Sequence, residues 1–115
     1  MTTKIYHNPR CSKSRATLQL LADQGIEPEI VEYLKTPPSA DELRGILALL
    51  GIGPRELMRT KEAEYKATGM DNPALSDDEL IALMVANPKV IERPIVIKGG
   101  KAIIGRPPEQ VLDIL

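Results

Sequence analysis

Lys4-Ile5-Tyr6-His7-Asn8-Pro9-Arg10-Cys11-Ser12-Lys13-Ser14-Arg15 is the stretch on which the reading of the chain turns. Ile5 to His7 reads as a short strand. Asn8-Pro9 is a turn signal. Leu18, Leu21 and Ala22 then recur on one face of a helix running from about residue 11 to 24. Cys11 is the only cysteine of the chain, and it falls where that helix begins. The first amides of a helix have no carbonyl partner, and the aligned peptide dipoles place partial positive charge there. A thiol at that point ionises more readily, and the thiolate is its reactive form. Arg10, Lys13 and Arg15 add positive charge, and the same amides can hold an oxyanion. A lone cysteine is often only a small buried hydrophobe. Pro9, the flanking cations and the strand-turn-helix setting favour a functional thiol instead.

Working outward, Gly25 stops this helix and Glu29 to Tyr33 reads as a second strand. Strand, crossover helix and strand make a right-handed parallel unit. Lys35-Thr36-Pro37-Pro38 is a stiff linker. Ser39-Ala40-Asp41-Glu42 and Ser76-Asp77-Asp78-Glu79 have the capping-box pattern. The first precedes Leu43, Ile46, Leu47 and Leu50, and the second precedes Leu80, Leu83 and Met84, both at helical spacing. Pro54 opens a short helix reaching about Arg59, and residues 61–68 supply another turn or two. Then the period changes: Ile95-Val96-Ile97, Gly99-Gly100 and Ala102-Ile103-Ile104 form a hairpin. Pro107-Pro108 restarts a helix carrying Val111, Leu112 and Leu115. The expected fold is a single α/β domain over residues 1–115. It has a four-stranded mixed sheet, βαβ then ββα, with a helical insertion at about residues 39–87.

Composition narrows the function. The 115 residues suit one aliphatic core, since Phe and Trp are absent. The net charge of −1, from 15 basic and 16 acidic side chains, lacks the basic surplus of a nucleic-acid binder. No apolar run has membrane-spanning length, and no signal-peptide pattern opens the chain. A single free thiol fits a reducing cytoplasm. One Cys and one His fall short of a zinc site, and no dinucleotide or phosphate-loop glycine motif is present. No obvious apolar patch calls for a partner copy, so a monomer is expected.

Arg93 and Arg106 flank the hairpin at the same end of its two strands, and Arg59 closes the short helix of the insertion. Guanidinium groups bind oxyanions in forked geometry and stay charged at any relevant pH. If the hairpin end faces Cys11, thiolate and arginines meet at one anion; otherwise these are solvated surface cations. His7, four residues before Cys11, can act through a hydrogen bond, and the Ser14 hydroxyl, one turn into the helix, can donate to the thiolate.

Three separated motifs carry a resemblance. Tyr6-His7-Asn8-Pro9-Arg10-Cys11 with Ser14-Arg15, then Glu92-Arg93-Pro94-Ile95-Val96, then Gly105-Arg106-Pro107, resemble the glutaredoxin-linked arsenate reductases over nearly the whole chain. The resemblance implies a thioredoxin-like fold with a helical insertion and a cis bond at Arg93-Pro94. It implies Cys11 as nucleophile, Arg59, Arg93 and Arg106 as oxyanion ligands, and His7, Asn8, Ser14 and Arg15 as supports of the thiolate. It implies arsenate or a similar oxyanion as substrate, glutathione as co-substrate, glutaredoxin as partner, and no bound cofactor. Ser12-Lys13 departs from the Gly-Thr that often follows the cysteine in such enzymes. Two other readings share the scaffold. One is a regulatory binding protein like Spx, which contacts RNA polymerase and commonly uses Cys-x-x-Cys, where this chain has Ser14. The other is a thiol-dependent reductase of another oxidised small substrate.

Overall fold

A computed structural model describes residues 2–115. Two compact units emerge, one built from the chain up to Thr36 and from Arg93 to Leu115, the other from Pro37–Glu92. The second corresponds to the expected helical insertion, slightly wider at both ends.

The first unit holds β1 (Thr3–His7), α1 (Ser12–Asp23), β2 (Glu29–Glu32), β3 (Ile95–Lys98), β4 (Lys101–Ile104) and a 3-10 helix, Pro108–Ile114. The sheet order is β2-β1-β3-β4, with β1 and β2 parallel and the other two pairs antiparallel. This is the expected four-stranded mixed sheet of a thioredoxin-like fold. Register aligns Ile30, Ile5, Val96 and Ile103 in one cross-strand row. Because side chains alternate along strands, that row lies on one face. Leu21 of α1 and Val111 of the terminal helix join Ile5 and Val96 in a fully buried cluster, with Leu18, Ile26, Ile103 and Ile114 packed around it. The row runs out at the sheet edge, where Ile30 is half exposed. Gly99 adopts φ 60° in the hairpin turn, a conformation suited to glycine.

Three expectations change here. The buried face of α1 is Ser14, Thr17 and Leu21, while Ala22 is exposed. The C-terminal helix is of the tighter 3-10 type, and Leu112 points outward with 43% exposure. Its start carries Pro107 and Pro108, which supply no amide to a helical ladder. A second cis bond, Arg106-Pro107, joins the expected one at Arg93-Pro94.

The second unit contains α2 (Ala40–Leu50), a 3-10 turn at Pro54–Leu57, α3 (Ala63–Ala67), α4 (Asp77–Ala86) and a 3-10 turn at Pro88–Val90. Ser39 Oγ accepts from the Glu42 amide at 3.1 Å. Ser76 forms the full reciprocal box, with 3.2 Å to the Glu79 amide and 3.1 Å from its own amide to Glu79 Oε1. Leu43, Ile46, Leu47, Leu80, Ile81 and Met84 bury the facing sides of α2 and α4. Arg44 of α2 spans to Asp78 of α4 at 3.2 Å. An antiparallel bridge between Met58 and Ile91 closes the unit near its exit.

Leu21 has no exposed surface, so Leu21→Ala is expected to cost about 2–5 kcal/mol of unfolding free energy. Leu112→Ala should cost no more than about 0.5 kcal/mol. Urea denaturation midpoints compare the two.

Candidate active site

The turn after β1 is built by Asn8. Its carbonyl accepts from the Cys11 amide at 3.0 Å, and its side-chain Oδ1 accepts from the Arg10 amide at 3.0 Å. Such an Asx turn mimics a backbone turn and swings the chain into a helix. Arg15 returns from the first turn of α1 to donate to the Pro9 carbonyl at 3.0 Å. Cys11 is thereby held at the N-cap of α1 with extended backbone, φ −91° and ψ 123°.

Beneath the turn lie His7, Asn8 and Ser14, all buried. Ser14 Oγ accepts from the Asn8 amide at 3.0 Å and lies 2.6 Å from His7 Nδ1. Burial holds His7 below its ordinary pKa of 6.5, opposed by the Glu32 carboxylate and reinforced by the Arg15 charge. The ring is therefore neutral near pH 7. A hydrogen bond joins the ring to the Ser14 hydroxyl, so His7 Nδ1, Ser14 Oγ and the Asn8 amide are all paired. Ser14 Oγ thus bonds His7 and the Asn8 amide, and it is the Ser14 backbone amide that favours the thiolate of Cys11. His7, Asn8 and Arg15 likewise act on the turn that carries Cys11.

The sulfur's own surroundings come from elsewhere. Arg106 Nη2 stands 3.5 Å from Cys11 Sγ. Arg106 Nε donates to the Arg93 carbonyl at 2.8 Å, which fixes the guanidinium across the hairpin end. Burial pushes the thiol pKa up. The Ser14 amide, a hydrogen bond from the Arg93 side chain, the Lys13 amide and the Arg93 charge together pull it down further, so it ends below the ordinary 9.0. Three of the expected residues, Cys11, Arg93 and Arg106, are thus brought together. Arg59 belongs to the second unit, where Glu92 meets it at 3.0 Å and Glu62 at 3.4 Å.

Sequence reasoning gave no role to Thr17, and named Gly105 only as part of a motif. The Gly105 amide donates to the Pro94 carbonyl at 2.9 Å. A Cβ on Gly105 would lie 2.6 Å from Thr17 Oγ1 and 2.9 Å from Pro94 Cγ. Thr17 is itself fully buried and donates to the Lys13 carbonyl at 2.8 Å. So α1 and the hairpin end touch through a glycine, and Arg106 follows directly in the chain. The available signal was the polar pair Ser14 and Thr17 at i, i+3 on the helix. A hollow of about 600 Å³ beside Thr3 and Lys98 lies at the opposite end of β1 and β3 from Cys11.

Gly105→Ala is expected to displace the hairpin end from α1 and lower stability by about 1–3 kcal/mol. It should also move Arg106 off the sulfur. The checks are thermal unfolding and the pH midpoint of Cys11 alkylation, which should rise.

Comparison with known proteins identifies the family. A family model described as the ArsC family matches residues 6–114. The arsenate reductase of Haemophilus influenzae is 53% identical over 116 residues, covering 100% of both chains. An Escherichia coli (strain K12) protein called "Uncharacterized protein YfgD" is 59% identical over 113 residues, covering 97% of this chain and 95% of that one. Among solved structures, an arsenate reductase from Vibrio cholerae superposes with TM-score 0.97 at 53% identity, covering 100% of this chain and 98% of that one. Family model, relatives and structures all converge on one assignment: the chain belongs to the ArsC family, several of whose members similar to it are named arsenate reductases.

Proposed function

We propose that the protein reduces arsenate to arsenite through Cys11, with glutathione and glutaredoxin of a reducing cytoplasm as external reductants. The observation that carries this reading is the Arg106 guanidinium 3.5 Å from the single cysteine sulfur at a helix start. Backbone amides and guanidinium groups there favour two anions in turn, the thiolate and then the bound oxyanion.

Cys11 thiolate attacks arsenic and a hydroxyl leaves as water, with Arg93 and Arg106 balancing the oxyanion's charge. Glutathione replaces a second hydroxyl. The two sulfurs then join, and the electron pair left on arsenic reduces it from the +5 to the +3 state. The second hydroxyl has also left as water, so arsenic departs as O=As–OH and takes up one water to give arsenite; the overall change is arsenate plus two thiols giving arsenite, water and the Cys11–glutathione disulfide. Glutaredoxin takes the glutathionyl group and Cys11 returns as thiolate. Because this chain has one cysteine, every other thiol comes from outside. Arg59, paired with Glu62 and Glu92 in the second unit, is the third oxyanion ligand of this proposal.

The test is arsenate-dependent NADPH oxidation in an assay coupled through glutathione, glutaredoxin and glutathione reductase. Cys11→Ser, with its fold confirmed, should show no turnover. Arg106→Ala should lose about 10²-fold in kcat, the usual loss for one oxyanion donor. Turnover retained in Cys11→Ser would reject the mechanism.

The lowered thiol pKa gives a second test. Thiolate accumulates as pH rises through the pKa, so the alkylation rate of the folded protein should reach half-maximum at lower pH than that of the urea-unfolded chain. Arg93→Ala should shift the folded midpoint upward, since it removes a hydrogen bond and a charge that favour the thiolate. Equal midpoints for folded and unfolded chains would contradict the assignment.

A further inference from the structure

The turn carrying Cys11 has two flanks. On one side of β1 lie β3 and β4, which bring Arg93 and Arg106. On the other side lies β2, whose carboxyl end and following turn enclose a groove of about 210 Å³ with Pro9 and Arg10. Pro9 and Leu34 give this groove apolar walls, and Leu34 is 37% exposed. Arg10, Glu32 and Lys35 supply its charges. The Arg10 amide is bound by Asn8, but its guanidinium meets no protein partner among the described residues. Lys35 meets Glu32 only at 3.7 Å, and its side chain is 79% exposed. These charged groups are solvated and available.

We propose that this groove holds the glutathionyl portion of a disulfide formed at Cys11. The inference rests on the reading that glutathione is the small thiol used. Glutathione carries two carboxylates and one ammonium on either side of its cysteine. The groove offers two cations and one carboxylate around an apolar wall, next in sequence to the sulfur that the tripeptide joins. Arg10 suits a carboxylate in forked geometry, and Lys35 suits one as a point charge. The volume is below the roughly 300–1,000 Å³ of enclosed ligand sites, which fits a tail lying along the surface. Once the sulfurs are bonded, the tail is held at high effective concentration, so individually weak contacts suffice. The oxyanion and the thiol co-substrate then occupy opposite flanks of one cysteine.

The test uses the purified full chain, without arsenate. Cys11 thiolate is equilibrated with oxidised and reduced glutathione and, separately, with 2-hydroxyethyl disulfide and 2-mercaptoethanol. In each exchange the thiolate attacks one sulfur, the old S–S bond breaks, a new one forms at Cys11, and the other half leaves as thiolate. Intact mass gives both equilibrium constants. Both adducts form on the same sulfur, so any change in Cys11 acidity cancels in their ratio. Relative to the ratio for N-acetylcysteine, the protein should favour the glutathionyl adduct about fivefold, the scale of two exposed ion pairs. The preference should shrink at high salt. Arg10→Ser with Lys35→Ser should bring the ratio close to that of N-acetylcysteine, and Glu32→Gln should lower it in part. A wild-type ratio equal to that of N-acetylcysteine, or one unchanged in the double variant, overturns the proposal. A preserved glutathionyl preference in a protein without arsenate turnover would support the groove while rejecting the arsenate reaction.

Discussion

The opening amides of α1 have no carbonyl to bond within the helix, and the placement of Cys11 depends on how that deficit is met. Helices in the same chain meet it with acids. The first turn of α2 carries Asp41 and Glu42, and that of α4 carries Asp77, Asp78 and Glu79. The first turn of α1 carries no acid, and its charged residues are Lys13 and Arg15. Cations at this end oppose the dipole, typically by about 0.3–1 kcal/mol each. The arrangement therefore leaves the amides of Lys13 and Ser14 for an anion that the helix does not itself supply. The thiolate of Cys11 is the nearest candidate, and the pull of those two amides on its ionisation follows from the same geometry.

Holding the sulfur there requires a rigid turn below it and a rigid wall beside it. The turn is stiffened by polar groups that are buried and mutually satisfied: Ser14 serves both the Asn8 amide and His7. Half-satisfied, such a trio would be costly in a dry interior. The wall is the hairpin end, where the Gly105 amide meets the Pro94 carbonyl and Arg106 Nε meets the Arg93 carbonyl. Thr17 packs where a side chain on Gly105 would lie. A small helix residue and a missing Cβ thus set how closely α1 approaches the arginine pair.

Much of this could be read without coordinates, for local reasons. Alternation and a glycine pair mark the β3–β4 hairpin, and its register places positions 93 and 106 opposite each other by simple extension of Ile95 against Ile104. The capping residues Ser39 and Ser76 announce α2 and α4. Of the apolar face that hydrophobicity picks on α1, Leu18 and Leu21 meet the core and only Ala22 is exposed, whereas the interior at the site end needs hydrogen-bonding partners. Ser14 and Thr17 fill that place, so the buried stripe is rotated from the apolar one. Nor does a sequence reveal that the Ser14 hydroxyl faces His7 while its amide serves the sulfur. That division depends on the turn made by Asn8. Arg59 shows the same limit, since its pairing with Glu92 spans 33 residues of chain.

A depressed thiol pKa helps twice in the proposed cycle, and the opposing effect of burial bears on how far it should fall. A lower pKa raises the thiolate fraction for attack on arsenic, but each thiolate becomes a weaker nucleophile as its pKa drops, so the best attacking thiol titrates near ambient pH. Burial of Cys11 works against the amides and Arg93 and keeps the reduction from running to its extreme. At the end of the cycle the roles reverse. The incoming thiol of glutaredoxin attacks the glutathionyl sulfur, and Cys11 is the leaving group. A thiol with a lower pKa leaves faster. The amides and guanidinium groups that favour Cys11 as a nucleophile thus also favour its release, which suits the proposed transfer of the glutathionyl group to glutaredoxin.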